Sequence, residues 1–350
     1  MVAPELDPAT SDVIGHWLSV GTLASETPTW TAKLVESPWG FTLFTERVPV
    51  VDGPVAGTVI FVADDGVTSE LRVVGIDGVE RPVAGSTEQV VFAARLAPDA
   101  GTVYVVLLDR ATGRDLGVFA LRLGGSGDLV QVLPPPAVDQ ADAGTVRLVA
   151  VTRFVRALRV SPDGSLLARL ACGEPFGRCV LDVIGLPDGP MLHYEPPDGG
   201  VLGGIGAGYA LGIWSCPAET ESCVVSAVSL EDGSVVELPG YPPAIDAEGR
   251  LVLLVFPGPT VETGSFSLFD PATATTRQVF NTDGTVRPLY ADGLDFEGVR
   301  VEVPAGWAPV WVSQSDGDGY TRQAVAVRLS DGGWLPITVP PLLSIGGGHD

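Results

Sequence analysis

Lysine is almost absent from this chain, and basic residues of either kind are scarce. Of 20 basic residues among 350, only Lys33 is a lysine, and 43 acidic residues bring the formal net charge to −23. Nucleic-acid backbones are bound by basic stripes that release counterions, and nothing here supplies such a stripe. An anionic membrane surface would repel the chain too. We therefore expect no nucleic-acid partner and interpret the acidic excess as a solvated surface, with an acidic docking site for a cationic partner as the alternative.

Helical periodicity is also missing. No stretch has apolar residues at helical spacing over three turns together with capping signals. Instead, 44 glycines and 30 prolines fall between short runs rich in Val, Leu, Ile and Phe. That pattern is typical of many short strands joined by tight turns. Residues 199–218 carry no charge over the length of a membrane helix, but seven of them are glycine, so we reject a membrane span there.

Only four cysteines occur, and they form two matched pairs. Cys172 and Cys179 are followed by Asp188-Gly189, and Cys216 and Cys223 are followed by Asp232-Gly233, with every offset equal at a shift of 44 residues. Each C-x6-C spacing spans a predicted hairpin turn, so we expect Cys172 to bond to Cys179 and Cys216 to Cys223. The alternative is a four-cysteine zinc site.

Disulfides imply an oxidising compartment. We therefore expect an extracytoplasmic protein that is secreted, periplasmic or held at the cell surface. The first residues, MVAPELDPATSD, lack the basic and apolar regions of a signal peptide. Because we expect export, we also expect that a leader has been removed from this sequence.

The 44-residue shift indicates a repeat architecture, and its second apolar strand can be found six times. The starts of these strands are separated by 45, 63, 44, 41 and 59 residues, so two intervals contain insertions, near residues 134–152 and 293–308. The six predicted second strands cover residues 57–64, 102–109, 165–172, 209–216, 250–257 and 309–316.

Asp-Gly pairs recur where the third strand of each unit should turn into the fourth. They stand at residues 77–78, 188–189, 232–233 and 331–332, with Asp270-Pro271 at the corresponding place of another unit. We expect type I′ turns here, because such turns need positive φ at two residues. Four short strands in about 45 residues is the plan of a β-propeller blade.

One segment adds a family resemblance. RVSPDGSLLARL at residues 159–170 resembles the WD40-like repeat of the TolB type, whose blades carry a Ser-Pro-Asp-Gly turn before the second strand. Weaker echoes are Ala97-Pro98-Asp99 and Asp246-Ala247-Glu248-Gly249, and residues 71–83 resemble the outer hairpin of that family. The resemblance implies a propeller and leaves activity open, because such blades occur in binding platforms and in peptidase accessory domains.

We therefore predict an all-β fold with a single β-propeller domain over residues 12–345. Six or seven four-stranded blades fit the chain, and seven is favoured because residues 13–50 are rich in strand signals although they depart from the repeat. Residues 1–11 and 346–350 are predicted to be flexible tails.

Few groups of residues in this sequence have the pattern of a catalytic, metal-binding or nucleotide-binding site. The three histidines, His16, His193 and His349, build no metal-ligand pair, and no nucleophile elbow occurs. His16 and His193 are interpreted as partly buried strand residues. Gly204 to Gly208, GIGAG, lacks the Lys-Ser/Thr and the helix of a nucleotide loop, so we interpret it as strands that approach closely near a propeller axis.

Two acidic clusters and a group of aromatic residues remain as candidates for binding. Acidic loops with glycine can bind Ca²⁺, but ordinary turns explain them as well, so no metal or other cofactor is predicted, with Ca²⁺ as the one candidate ion. Trp311 is expected in the core and Trp307 on an exposed loop. The acidic clusters are Asp292, Asp295 and Glu297, and Asp316 and Asp318; the aromatic residues are Trp307, Trp311, Tyr320 and Trp334.

These observations predict a non-enzymatic, monomeric binding or scaffold module that recognises a protein or surface ligand through rim loops. Trp307, Asp316, Asp318 and Tyr320 are its predicted binding residues, on the rim that carries the insertion at residues 293–308. The alternative is a Ca²⁺-supported hydrolase or lyase acting on a sugar or lactone at the channel mouth. An enzyme should gather three or more acidic side chains there, whereas a binding module should expose aromatic residues on a broad rim.

Overall fold

The fold is built from β-strands. The computed structural model describes residues 2–6, 13–20, 28–34, 41–43, 46–48, 51–125, 127–136, 155–172, 179–196, 201–215, 224–240, 243–256, 263–288, 301, 303–315 and 320–337. All regular elements within these ranges are strands, and they are numbered β1 to β28. The prediction of an all-β protein is thereby confirmed.

Four sheets are four-stranded antiparallel meanders in which strands that follow one another in the chain are hydrogen-bonded neighbours. The first contains β6 (Val51–Val55), β7 (Thr58–Asp64), β8 (Ser69–Gly75) and β9 (Glu80–Ser86). The second contains β10 (Gln89–Leu96), β11 (Thr102–Asp109), β12 (Asp115–Arg122) and β13 (Leu129–Leu133). The third contains β14 (Val155–Val160), β15 (Leu166–Cys172), β16 (Cys179–Gly185) and β17 (Met191–Tyr194). The fourth contains β18 (Val201–Gly206), β19 (Tyr209–Ser215), β20 (Val224–Ser229) and β21 (Val235–Leu238).

A seven-stranded sheet follows, and one long strand divides it into two further meanders. The first part of β25 pairs with β24 through residues 275–281, and its end pairs with β26 through residues 285–288. The last strand of the fifth meander is therefore continuous with the first strand of the sixth. The sheet contains β22 (Pro243–Ile245), β23 (Leu251–Val255), β24 (Thr263–Asp270), β25 (Thr275–Pro288), β26 (Trp307–Ser315), β27 (Tyr320–Arg328) and β28 (Trp334–Pro336).

The N-terminal segment forms a three-stranded sheet of β1 (Val2–Leu6), β2 (Val13–Val20) and β3 (Trp30–Leu34), and a hairpin of β4 (Phe41–Leu43) and β5 (Glu46–Val48). This differs from the flexible tail expected over residues 1–11, because β1 pairs antiparallel with β2. Backbone pairing with a neighbouring strand thus fixes a segment whose own sequence carries little strand signal. The tail expected at residues 346–350 lies outside the described residues.

The predicted repeat is confirmed at the level of strand order. Each of the six strands predicted to be second in its unit, now β7, β11, β15, β19, β23 and β26, is the second strand of its meander. The strands begin within two residues of the predicted starts. Continuous burial explains this accuracy, since these strands are apolar on both faces; all positions of β11 from Val103 to Leu108 are buried.

Neighbouring sheets pack face to face through these second strands. Ile60 and Val62 of β7 pack against Val103 and Val105 of β11 in one apolar cluster. The opposite face of β7, with Val59 and Phe61, packs against Leu18 and Val20 of β2 and against Trp30 of β3. The N-terminal sheet thus covers the first meander on the side away from the second.

The Asp-Gly turns differ from the predicted type I′ geometry. Gly78, Gly233 and Gly332 have φ near +75° to +79°, but their Asp neighbours are not among the residues with positive φ. In the fourth meander, Ser229 and Ser234 close a four-residue loop through a 2.8 Å backbone hydrogen bond. Longer loops of this kind are built around a type I turn, so only their last residue needs positive φ. Two-residue turns with positive φ at both positions occur at Ala56-Gly57 and Ala207-Gly208 instead.

The register places one cysteine pair face to face. Cys172, the last residue of β15, pairs directly with Cys179, the first residue of β16. Direct opposition in an antiparallel pair brings the two Cβ atoms to about 4.5–5.5 Å, within reach of a disulfide. The bond between them stays a prediction, and Cys216 and Cys223 lie outside the described residues.

Candidate functional site

One cavity of about 570 Å³ is lined by the first strands of five meanders, β6, β10, β14, β18 and β22. The sixth meander contributes residues 303–305, which lie just before its second strand β26. Six meanders therefore contribute to one cavity.

Small and apolar groups make up most of this wall. Leu96, Val160, Ile205, Ile245 and Leu251 supply apolar surface. Glycine and proline residues supply backbone and ring atoms at Gly53, Pro98, Pro162, Gly203, Gly204, Gly249 and Pro304, among others. Gly204 belongs to the GIGAG segment, and the strands β18 and β19 that contain this segment agree with the structural interpretation of it.

Two arginines stand out in this wall. Arg95 of β10 and Arg159 of β14 occupy corresponding positions, each two residues before the turn that leads to the second strand. Each Nε donates to a carbonyl of the next meander, Arg95 to Leu158 O at 3.0 Å and Arg159 to Gly203 O at 3.0 Å. Each Nη1 donates to the carbonyl just before its own residue, at Ala94 and Leu158.

The repeated hydrogen bonds bring the two guanidinium groups together. Leu158 O accepts from Arg95 Nε at 3.0 Å and from Arg159 Nη1 at 2.9 Å, so these two nitrogens lie within about 6 Å of each other. Among the described residues of the wall, Arg95 and Arg159 are the charged ones.

The turns between first and second strands surround the same end of the cavity. In the third meander, the hydroxyl of Ser161 donates to Asp163 Oδ1 at 2.6 Å, and the backbone N–H of Ser165 donates to the same oxygen at 3.0 Å. These hydrogen bonds, the one from Ser161 foremost, lower the pKa of Asp163. An antiparallel meander places its first and third turns at one end, so the Asp-Gly hairpins lie on this side too. We call this side the turn face.

The cysteine hairpin lies at the other end. Cys172 ends the second strand of its meander and Cys179 begins the third. Ser315 and Tyr320 stand in the same relation in the sixth meander. These strand ends lie opposite the turn face.

A buried ionic network lies away from the cavity, between the second and third meanders. Arg169 of β15, 1% exposed, pairs with Asp182 of β16, and Asp182 Oδ1 also contacts His193 Nδ1 at 2.9 Å. Arg169 Nη1 donates to Pro134 O at 2.6 Å, which ties this network to the second meander. Burial raises the pKa of nearby Asp115, and the charge of Arg169 opposes that increase. His193 was expected to be partly buried, and its side chain is 40% exposed.

Of the predicted binding residues, the structure describes Trp307 and the backbone of Tyr320. Trp307 is the first residue of β26, half-buried, with the guanidinium carbon of Arg328 5.1 Å from the centre of its ring. Tyr320 pairs with Ser315, which ends the same strand eight residues later, about 26 Å away. These two residues therefore lie at opposite ends of the strand pair, and Asp316 and Asp318 stay predictions.

The expectation of an exposed loop over residues 293–308 is wrong for the end of that segment. Val301 is 3% exposed and packs in a cluster with Trp311 and Ala324, and Ala308 belongs to β26. At least the end of this segment is therefore part of the core. Trp311 is buried, as predicted, and Trp334 is exposed. The cluster of Asp292, Asp295 and Glu297 lies outside the described residues, as do Asp316, Asp318 and His349.

The sequence did contain a signal for the arginine pair. RLAPDA at residues 95–100 and RVSPDG at residues 159–164 share an arginine two positions before the turn. An alignment of the two turns places these arginines at the same position. No spacing rule could have predicted the contact of Arg169 with Asp182 and His193, because these residues lie on three successive strands whose register sets their distance.

Within the described ranges, no group of three or more His, Cys, Asp or Glu side chains is arranged to hold a metal ion. The same ranges contain no helix with the length and apolar character needed to cross a membrane.

Comparison with known proteins finds no matching family model and no matching curated protein. Solved structures do resemble the chain. TolB from Acinetobacter baumannii is 15% identical, with a TM-score of 0.43 over 81% of this chain and 65% of its own. The β-propeller domain of the Trilobed protease from Pyrococcus furiosus is 12% identical, with a TM-score of 0.48 over 83% of this chain and 85% of its own. An oligogalacturonate lyase in complex with manganese is 10% identical, with a TM-score of 0.49 over 95% of this chain and 83% of its own.

These similarities concern the fold, and they say nothing about the chemistry of this chain. The architecture itself rests on the strand pairing, on six four-stranded meanders and on the cavity to which all six contribute. The chain is an all-β protein of repeated four-stranded antiparallel meanders.

Proposed function

We propose that this protein is a non-enzymatic binding module that receives its ligand at the central cavity, through the turn face. The observation that carries the proposal is the common wall that six meanders contribute to one cavity of about 570 Å³. Sites for small ligands and for protruding groups of larger partners have this size, with mostly apolar walls and a few convergent polar groups. The partner is a protein or surface ligand that inserts such a group.

We further propose seven blades, with β1, β2 and β3 in the seventh. The packing of Leu18 and Val20 on β7 supports this, because the N-terminal sheet covers the first meander in the way that the second meander covers its other face. A rigid ring of this kind presents turns in fixed positions, which suits recognition.

An extracytoplasmic location and a monomeric state complete the proposal. The register that places Cys172 opposite Cys179 supports the first, because a disulfide there would persist in an oxidising compartment.

The enzymatic alternative requires acidic side chains at the channel mouth. The charged groups that the described residues supply to the cavity wall are Arg95 and Arg159, whereas carboxylate-based hydrolysis and Ca²⁺ coordination each need acidic side chains there.

A pair of matched substitutions tests the location of the site. Ala305 is exposed and lines the cavity, whereas Ala272 is exposed in the hairpin between β24 and β25, at the outer edge of the turn face. Ala305→Trp should abolish capture of the partner from the envelope fraction of the native host, because the indole blocks the mouth. Ala272→Trp should capture the partner as the wild type does. Equal capture by both variants, with equal melting temperatures, would move the site away from the cavity.

A further inference from the structure

We propose that the outer edge of β13 is a second binding surface of this protein, apart from the cavity to which six meanders contribute. The edge accepts an extended segment of a partner protein as a fifth strand of the second meander. One apolar side chain of that segment, of leucine or phenylalanine size, then enters a cleft beside the edge.

β13, with the sequence LVQVL, is an outer strand whose free edge lacks the usual protection. Within the part of the chain that the structure describes, β12 is the strand that pairs with it. A free edge presents unpaired N–H and C=O groups to any extended chain, so proteins block such edges with charged residues, with proline or by keeping the strand very short. The five residues of β13 include neither a charged residue nor a proline.

The outer strands of the other meanders are protected in one of these ways. β17 and β21 have four residues each, and β28 has three. β9 is longer, but it contains Glu80, Arg81 and Pro82. β25 carries Arg277 and continues into the pairing with β26. Among the outer strands of the six meanders, β13 is therefore the one that offers five uncharged residues for pairing.

A cleft of about 170 Å³ lies between the first and second meanders, beside this edge. Leu129, the first residue of β13, and its partner Leu121 both line the cleft, which therefore lies on the face of the second meander that carries these two side chains. Leu129 is 39% exposed, so the cleft reaches solvent at the edge. Ala84 and Gly85 of β9 form part of the facing wall. A cleft of this size leaves its apolar lining short of packing contacts until a side chain fills it.

A strand that pairs with β13 brings a side chain to this cleft. Directly opposite residues of an antiparallel pair lie on the same face, with Cβ atoms about 4.5–5.5 Å apart. The residue opposite Leu129 therefore stands at the mouth of the cleft. An apolar cavity of about 150 Å³ holds benzene, so the cleft has room for one leucine or phenylalanine side chain. Main-chain hydrogen bonds supply affinity in this mode of recognition, and the side-chain pocket supplies specificity.

The charge of the chain indicates the residues that flank this apolar side chain. The net charge is −23, and the exposed Asp128 and Glu88 directly precede Leu129 and Gln89, which line the cleft. Complementary charges speed association and fix the register of a complex, so the segment that fits has basic residues on both sides of its apolar one. The same charge disfavours a second copy of this chain as the occupant, because two copies repel each other.

Fluorescence anisotropy with a labelled model peptide tests the proposal. The probe is KTVFVTK, and its two controls are KTVDVTK and a KTVFVTK peptide with N-methyl groups on alternate backbone amides, which cannot pair as a strand. The proteins are the wild type, Leu129→Asp and the matched control Val235→Asp. Val235 is likewise the exposed first residue of an outer strand, β21, and it does not line the cleft. KTVFVTK should bind the wild type and Val235→Asp equally. Both control peptides, and KTVFVTK with Leu129→Asp, should bind at least tenfold more weakly.

Hydrogen exchange locates the bound peptide. Amides of residues 129–133 should exchange more slowly with KTVFVTK bound, whereas the turn at residues 161–165, beside the other cavity, should be unaffected. No binding of KTVFVTK at millimolar concentration, equal binding of the methylated peptide, or protection at residues 161–165 instead would overturn the proposal. A dimer of the wild type that Leu129→Asp dissociates would overturn it too, because the edge would then belong to a second copy of the chain.

Discussion

At the scale of single residues, Asp182 is the side chain whose removal we expect to destabilise the fold most. It is the carboxylate partner of Arg169, which is 1% exposed, and it also contacts His193. A buried cation that loses its partner is left uncompensated in a medium of low dielectric constant. Arg169 and Asp182 lie on β15 and β16 and are not among the residues of the cavity wall.

Asp182→Ala should lower the free energy of unfolding by about 3 kcal/mol, measured by urea denaturation at neutral pH. The control is Glu80→Ala, which removes a partner of Arg72 from an ion pair whose side chains are 38% and 29% exposed. Exposed pairs contribute little, so the control should lose less than about 1 kcal/mol. Equal losses in the two variants would show that Arg169 does not depend on Asp182.

Asp163 provides a prediction about pH. Its pKa is lowered in the folded state by hydrogen bonds from Ser161 and Ser165. A carboxyl whose pKa is lowered by folding contributes its full stability above its unfolded pKa of about 3.9, and this contribution is lost as pH falls through the folded value. Asp163→Asn should therefore reduce the loss of stability on acidification below about pH 4. Unfolding curves at a series of pH values measure this, and parallel pH profiles for the two proteins would contradict it.

At the scale of elements, the outer hairpins share one backbone requirement. The residue that ends the loop has positive φ, and it is Gly332 in one hairpin and Ala274 in another. Alanine is strained in this conformation, whereas glycine adopts it freely. The sequence predicted these hairpins correctly from Asp-Gly but gave them the wrong turn type, because the loop length was not known before the strand register.

Ala274→Gly should therefore raise the free energy of unfolding by about 1 kcal/mol. Gly332→Ala should lower it by more than that amount, because a Cβ there would also collide with the backbone oxygen of Val279. Gly249→Ala is the matched control, because its φ is +77° and nothing lies within 4 Å of the added carbon. Backbone strain without a collision is then what lowers the stability of this variant. If the Gly332 and Gly249 variants lose equal stability, the close approach to Val279 does not contribute.

The hairpin of β15 and β16 carries the redox prediction. Peptide mapping without reductant should recover Cys172 linked to Cys179, since the two residues are direct partners in the register. Recovery of Cys216 linked to Cys223 is expected from the matched spacing. Free thiols at all four positions, or stoichiometric zinc, would remove the support for an oxidising compartment.

At the scale of the whole molecule, the sequence predicted the order of the strands well and their convergence poorly. A period near 44 residues and apolar second strands were enough to locate β7, β11, β15, β19, β23 and β26. Trp307 and Tyr320, by contrast, are close in sequence but lie at opposite ends of the pair formed by β26 and β27. Arg95 and Arg159 are 64 positions apart and lie beside one carbonyl oxygen. The packing of adjacent meanders creates that proximity, and no local sequence pattern predicts it.

The central claim is that the cavity to which six meanders contribute is the binding site. The most direct measurement is the hydrogen exchange of backbone amides with and without the captured partner. The account predicts slower exchange with the partner bound at the turns around the cavity, among them residues 161–165 and 303–306. Slower exchange confined to the outer hairpin at residues 270–275, or to the strand ends at Cys172 and Cys179, would contradict it.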